Sequence, residues 1–509
     1  MAKFNQSTKD TQFTTNKEGE KAYKLSDKTR LVMRVMTSLV NEPKFYGDTT
    51  NDLIADATAL ALKDPEFVIK TAVYARNQMY LRSVPILLMA LVADKISGDK
   101  IFRKALPEVL KRADEPGELL SAYISLHNGG KEQREIPIPN RIKRGISDVM
   151  NTFDEYQFAK YNRDGSVKLK DVLNICHPRP KDKLQSILFK KILDNKLAIP
   201  ETWETYISIH GSTRENWQYI APKMPYMAKL RNLRNFLEKG IDNLDEVVAH
   251  ISSKEADLTS KQFPFRFFSA YKEIESMESP CSGVPKVLDA LQDAIDISIA
   301  NLPKLGGRTM IMTDNSGSMT SPISKKSKMK MIEIGNLFGA MAASFSDDAD
   351  VYVFGQGYHL ANLSHRTGIL DNCNKLCAID VGHSTNAHLP VEYAILKNIY
   401  YDRIILFSDM QVWNDNIWNY GSGAFINSIN DYHKKINKDV FIHSVDLAGY
   451  GTAQFNEHDK KVNLVAGFSD KLLNYFGAFE RGADSMIAEI EAINIDTGPI
   501  PVDVHYYEI

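Results

Sequence analysis

Apolar residues recur at helical spacing through the first part of this chain, and near residue 300 the period changes. LVMRVMTSLV (31–40), DLIADATALALKD (52–64) and EFVIKTAVYARNQ (66–78) each carry an apolar stripe on a polar background, as a helix packed on one side does. Pro65 follows Asp64 where a new helix would begin. VPILLMALVADKI (84–96) is apolar on almost all sides and is expected to be buried between neighbours. IFRKALPEVLKRA (101–113) and ELLSAYISLHNGG (118–130) continue the series, and Gly129-Gly130 is a stop signal. Further helices are predicted over 200–209, 216–240, 242–253, 264–277 and 284–302. No clean repeat period is visible, but helices joined by short turns predict an α-solenoid or a ring made from one.

After LPKLGG (302–307), read as a linker, short apolar runs alternate with helical segments. TMIMTD (309–314), DVYVFG (350–355), RIILFSDMQ (403–411), VFIHSVDL (440–447) and VNLVAG (462–467) read as strands. Helices are predicted at 329–345, 389–401, near 422–437 and at 482–493. Apolar strands alternating with helices predict a doubly wound, Rossmann-like parallel sheet, with ligands beyond the carboxyl ends of the strands. The expected class is therefore multidomain, α plus α/β. Residues 1–24 form a loosely docked N-terminal arm, 25–301 a helical domain, 302–307 the linker and 308–509 the α/β domain.

Bulk composition narrows the setting. At 509 residues, 43% hydrophobic and 25% charged, the chain reads as globular and soluble. No apolar run approaches the length of a membrane span, and the polar start MAKFNQSTKDTQF lacks the apolar core of a secretory signal. Four scattered cysteines (Cys176, Cys281, Cys373, Cys377) suit a reducing compartment. The expectation is a cytoplasmic protein without a membrane partner. Cys373 and Cys377 form a lone CxxxC with no second pair, and are read as thiols rather than as a zinc site.

The net charge of −2 conceals an asymmetry. Residues 306–509 hold 16 Lys+Arg against 24 Asp+Glu, a net of −8, which leaves 46 against 40, or +6, for 1–305. Within 131–191 the count is 14 basic to 8 acidic, so the surplus sits in one region. Such a patch suits a polyanion partner. Arg141, Lys143 and Arg144 fall in the first turns of a helix opening near Pro139, where cations oppose the helix dipole and so suggest another use. Lys160, Tyr161 and Arg163 precede a turn at Asp164-Gly165, and a further helix ends at Cys176-His177-Pro178. Interleaved aromatic and basic residues offer phosphate contact together with base stacking.

The sharpest candidate chemistry is RTMIMTDNSGSMT (308–320), a buried strand running into a polar tip. Asp314, Ser316 and Ser318 stand at alternate positions, so a turning loop can aim all three at one centre. Thr385, in GHSTN before a helix, and Asp409, closing RIILFSD, fall at the same predicted sheet edge. Two carboxylates and three hydroxyls with one position open suit a hard divalent cation such as Mg²⁺.

DNSGSM with Thr385 and Asp409 resembles the metal-ion-dependent adhesion site of von Willebrand factor A domains, over roughly 306–509. AYKLSDKTRLVMRV, PKFYG, VYARNQMYLRSVPILLMAL, KDVLNICHPRP, MPYMAKLRNL and FPFRFFSAYKEI, in that order, resemble the TROVE module of the Ro autoantigen family, over roughly 20–300. The resemblance implies a HEAT-like helical ring beside the A domain. It also implies binding of noncoding RNA, with single-stranded 3′ ends of misfolded RNA entering the ring and Y RNAs on its outer surface. Bacterial relatives partner with an exoribonuclease through Y RNA. Lys160 and His177 match the family's RNA contacts. Arg163 is displaced by one position, with Asp164 where the family has arginine, and IPIPNRIKRG replaces a family glycine-tryptophan-glycine.

The reading that results is a non-enzymatic RNA-binding protein of a ribonucleoprotein complex, engaged in RNA quality control or processing. The alternative is an adaptor whose A domain captures an acidic partner residue through the metal. A hydrolase is disfavoured: no GxxxxGK[ST] loop occurs, and no general base with a nucleophile is recognisable beside Asp314.

Overall fold

The computed structural model describes residues 13–15, 21–38, 48–98, 100–128, 136–162, 165–260, 262, 264–277, 282–299, 304–322, 329–364, 366–411, 423–457, 459–467, 471–481 and 486–495. Strands β1 (Phe13–Thr15) and β2 (Lys21–Lys24) precede helix α1 (Asp27–Thr37). Then come α2 (Asp48–Lys63), α3 (Pro65–Asn77), α4 (Ser83–Val92), α5 (Lys100–Val109), α6 (Glu115–His127), α7 (Asn140–Met150), α8 (Glu155–Tyr161), α9 (Leu169–Cys176), α10 (Lys183–Leu193) and α11 (Trp203–His210). The helical run ends with α12 (Arg214–Ile220), α13 (Tyr226–Lys239), α14 (Leu244–Ile251), α15 (Lys254–Ser260), α16 (Pro264–Glu275) and α17 (Val284–Ile299). The remainder alternates: β3 (Leu305–Asp314), α18 (Met331–Phe345), β4 (Ser346–Phe354), β5 (Tyr358–Ala361), α19 (Ile369–Cys377), α20 (His388–Leu396) and β6 (Arg403–Ser408). It closes with α21 (Ala424–Lys435), β7 (Phe441–Asp446), β8 (Thr452–Ala453), β9 (Val462–Ala466), α22 (Lys471–Glu480) and α23 (Met486–Ala492). A mostly helical N-terminal region is thus followed by a mixed sheet domain. No helix among the described residues is long and apolar enough to cross a membrane.

Two compact units emerge, and they do not follow the boundary expected at 302–307. One comprises Met1–Asn41 with Ser212–Ser485, the other Glu42–Gly211 with Met486–Ile509. In the helical unit, Asp64 caps α3 by accepting from the Phe67 N–H at 3.1 Å, with Pro65 at the first helical position. Every residue of α4 from Val84 to Val92 is buried, as its unbroken apolar run requires. Glu115, fully buried, receives Arg76 at 2.8 and 3.0 Å, Arg82 at 3.3 Å, and the backbone N–H groups of Lys111 and Arg112 at 2.6 and 3.0 Å. Helix α23, expected in the α/β domain, lies here against α3: Tyr74 donates to Glu489 at 3.3 Å and Lys70 to the Glu491 carbonyl at 2.9 Å.

The other unit is built on a six-stranded sheet of order β5-β4-β3-β6-β7-β9, parallel except for β5. The antiparallel edge strand was not expected, because YHLA is short and exposed. The supposed linker does not stop before the strand: Leu305 already pairs with Ser346. Nor is the N-terminal arm loose where described, since β1 and β2 form an antiparallel ribbon with β8. Ser26 and Thr29 at the start of α1 both bond to Glu457, which fastens that helix to the same unit. The single helix predicted over 216–240 is two, because Pro222 and Pro225 supply no N–H to continue it.

One buried polar cluster ties the sheet to α22. Glu480 accepts from Arg403 at 2.6 and 2.9 Å and lies 3.0 Å from His443 Nε2. Asn463 Nδ2 sits 3.1 Å from His443 Nδ1, so the amide donates there and the neutral ring donates to Glu480 through Nε2. Burial alone would raise the Glu480 carboxyl, but its bonds to His443 and Arg403 hold it down at about 2 against an ordinary 4.5. A depressed carboxylate stabilises the fold fully above 4.5 and loses that contribution as pH falls through about 2. Glu480→Gln is expected to cost on the order of 3 kcal/mol at neutral pH. In denaturant titrations the gap to the native protein should narrow steadily below pH 4.5.

Candidate functional site

Parallel pairing sets the carboxyl ends of four strands, β3, β4, β6 and β7, level. Asp314 aligns with Phe354, Thr313 with Phe407, and Ser408 with Asp446. Asp314, Asp409 and Asp446 therefore stand at one edge, each essentially inaccessible to water. Asp314 Oδ1 accepts from the Ser316 N–H at 2.9 Å and its Oδ2 from the Ser408 hydroxyl at 2.7 Å. The Ser316 and Ser318 hydroxyls lie 3.2 Å apart, with Ser316 buried and Ser318 half-buried. Asp409 Oδ1 accepts from the Gln411 N–H at 3.0 Å.

Backbone bonds bring in the third loop. Asn315 donates to the Phe354 carbonyl at 2.8 Å, and Gly317 to the His383 carbonyl at 2.7 Å. Asn386 donates to Gly355 at 2.8 Å. The contact at Gly317 is close enough that a Cβ there would meet the His383 oxygen at 3.3 Å. Gly382, at φ +76°, permits the turn that carries Thr385 into a buried position in this loop.

The donor set fits a hard cation. Burial, then the neighbouring Asp409 charge, pushes the Asp314 carboxyl up to about 7. Burial, with Asp409 contributing, does the same to Asp446. Two buried carboxylates side by side are a standing electrostatic cost that a divalent ion would offset. No three His, Cys, Asp or Glu side chains among the described residues are grouped to hold a metal, and a cation at this edge would need hydroxyl ligands. A cation held by Asp314, Ser316, Ser318, Thr385 and Asp409 would meet two carboxylates and three hydroxyls. Ser408 and Asp446 escaped the sequence reading. Their signal was present in the polar residues that end FS and SVD after apolar strands.

In the helical unit the basic residues sort differently from expectation. Arg141 is half-buried and its guanidinium donates to the Ile96 carbonyl, so it is committed to the fold. Lys143 is half-buried beside Cys176. Arg144 is exposed. Lys160 lies 5.5 and 5.8 Å from the ring centroids of Tyr156 and Tyr161, and Arg112 stacks on Tyr161 at 4.2 Å. Arg163 lies outside the described residues. His177 ends α9 in the left-handed region at φ +46°, its N–H bonded to Leu173 at 3.0 Å and its ring exposed. The free cations come next in the chain: Arg179, Lys181, Lys183 and Lys190 are exposed and form no ion pair among the described residues. Asn151 at the end of α7 holds this segment through the Arg179 carbonyl and the Lys181 N–H at 2.9 and 2.8 Å. On α10, Lys183, Ile187 and Lys190 share a face. In the other unit, Lys229, Arg231 and Arg234 on α13 make no comparable surface, since Lys229 is buried and Arg234 is paired with Glu238 and Glu273.

A family model of the TROVE domain matches residues 17–195 and 193–286, more than half of the chain. This chain belongs to the TROVE family. A model of the Ro60 vWA domain matches 308–479 of the same TROVE chain, in line with the strand-loop pattern around Asp314. Among curated relatives, telomerase protein component 1 of Rattus norvegicus is 24% identical over 331 residues, covering 49% of this chain but only 13% of that one. The RNA-binding protein RO60 of Deinococcus radiodurans is 20% identical over 525 residues, covering 92% of this chain and 95% of the relative. The crystal structure of the Deinococcus radiodurans RO (RSR) protein matches 90% of this TROVE chain at a TM-score of 0.62 and 18% identity, a likeness of fold.

An ion that binds only the folded state raises the melting temperature with its concentration. Millimolar-range Mg²⁺ or Mn²⁺ is therefore expected to stabilise the protein in a thermal melt. Asp314→Ala and Asp409→Ala should abolish the increment, and Ser318→Ala should shift its midpoint about tenfold.

Proposed function

We propose that this TROVE-family chain is an RNA-binding component of a ribonucleoprotein, taking small noncoding RNA of the Y-RNA kind and single-stranded 3′ ends of misfolded RNA. The observation that carries the reading is the run of unpaired exposed cations from Arg179 to Lys190, next to the exposed His177, in a chain aligned along nearly its whole length with a protein named for RNA binding. Arg144 and Lys160 extend the basic surface, Arg141 and Lys143 support it from within, and Arg163 is a further proposed contact. The half-exposed Tyr156 offers a ring face beside Lys160. The role is retention of RNA in quality control or processing, in the cytoplasm, with an exoribonuclease reached through the RNA. The sheet unit holds Mg²⁺ through Asp314, Ser316, Ser318, Thr385 and Asp409, with an open position for a carboxylate or phosphate oxygen.

A second reading rests on that open position. The sheet unit would then serve as a metal-dependent adaptor for an acidic residue of a protein partner. It requires a chelator-sensitive protein complex and no copurifying nucleic acid, which the ultraviolet absorbance ratio of the purified protein distinguishes.

Phosphate contacts release counterions, so affinity for a hairpin RNA with a single-stranded tail should fall steeply with salt in fluorescence anisotropy. Lys183→Ala with Lys190→Ala is expected to weaken binding about tenfold and to reduce the logarithmic salt slope by about 1 to 2. Unchanged affinity and slope would remove α10 from the interface.

A further inference from the structure

Helix α19 carries two cysteines four residues apart, so both lie on one face. Cys373 is fully buried; Cys377, the last residue of the helix, is partly exposed. The two thiols act on each other electrostatically, with Cys373 raised well above the usual thiol range and Cys377 lowered. The Cys373 thiol also reaches the Glu333 carbonyl at 3.6 Å, and Asn336 Nδ2 lies 3.5 Å from the Cys377 sulfur. Lys272 donates to Asn374 at 3.0 Å, and its charge acts on both thiols. The Cys373 side chain, then Asn336, holds the Cys377 thiol below its ordinary range despite its burial. Cys176 has the opposite setting: burial pushes its thiol up to about 12.

The same asparagine leads to the Asp314 loop. Asn336 Nδ2 donates to Asn315 Oδ1 at 2.7 Å. Asn315 Nδ2 in turn donates to the Leu376 and Ile379 carbonyls at 3.0 and 3.1 Å. The residue between Asp314 and Ser316 is thus fastened to the last turn of α19, the turn that holds Cys377.

We propose that Cys373 and Cys377 are an oxidisable dithiol, closed by a hydroperoxide to a disulfide that unwinds the end of α19 and releases Asn315. The Cys377 thiolate attacks one peroxide oxygen, the O–O bond breaks, and hydroxide leaves a sulfenic acid. The Cys373 sulfur then attacks the sulfenic sulfur, the S–O bond breaks, and water leaves. The thiols lose two protons and two electrons, and hydrogen peroxide becomes two waters. On an intact helix the two Cβ atoms are about 5–6 Å apart, whereas a disulfide needs about 3.5–4.5 Å. The bond therefore closes only if the bonds from Ala378 to Asn374 and from Ile379 to Leu376 open. A disulfide formed against that resistance is readily reduced, which makes the change reversible. This chemistry stands apart from the cation and RNA readings, although it would disturb the loop that carries Asp314.

The test uses the full chain with Cys281→Ser. After brief hydrogen peroxide treatment, denaturing alkylation and peptide mapping should show Cys373 and Cys377 lost together, about tenfold faster than Cys176. Cys373→Ser should stop the reaction at a sulfenic acid that dimedone traps on Cys377, and Cys377→Ser should leave Cys373 alkylatable. Hydrogen exchange of the oxidised protein should quicken in 374–380 and in 314–318, and a dithiol reductant should reverse it. Persistence of both thiols at the rate of Cys176 would overturn the dithiol. A disulfide formed without faster exchange at 314–318 would overturn its coupling to the loop.

Discussion

A carboxylate taken out of water must be paired, neutralised or given a cation, and this requirement organises the molecule. Glu115 and Glu480 meet it with arginines and backbone or ring N–H groups, and around each of them several elements are locked together. Among the described residues, Asp314 meets it with hydroxyl and backbone N–H groups and no cation, next to a second buried carboxylate, Asp409. A site that keeps such a cost is where function is to be sought.

Charge is distributed between the two units with the same economy of pairing. In the helical unit, Arg76, Arg82 and Arg141 are bound internally, whereas Arg179, Lys181, Lys183 and Lys190 after His177 are exposed and form no ion pair among the described residues. In the sheet unit three buried carboxylates, Asp314, Asp409 and Asp446, stand together at the strand ends. One unit thus carries a run of exposed cations, and the other a buried acidic edge.

Much of this was legible from residue pattern. The change of period near 300, the all-apolar strands and the polar tip at Asp314 reflect local rules of burial, and they place Asp314 and Asp409 at one edge of the sheet. Other features depend on distant partners and left little local trace. YHLA reads as a loop until β4 is there to pair with it, and LGG reads as a linker until Ser346 stands opposite Leu305. α23 looks like the end of the sheet domain because nothing in its own sequence reveals α3. Among the basic residues the sequence shows charge but not commitment. Arg141 looks as available as Lys183, yet its guanidinium is spent on the Ile96 carbonyl.

The most direct measurement is photocrosslinking of the full-length protein to a small structured RNA with a single-stranded tail, followed by mapping of the joined peptides. The account predicts crosslinks on the tryptic peptides between His177 and Lys191, together with those around Tyr156 and Lys160. Crosslinks absent altogether, or confined to the sheet unit, would contradict it.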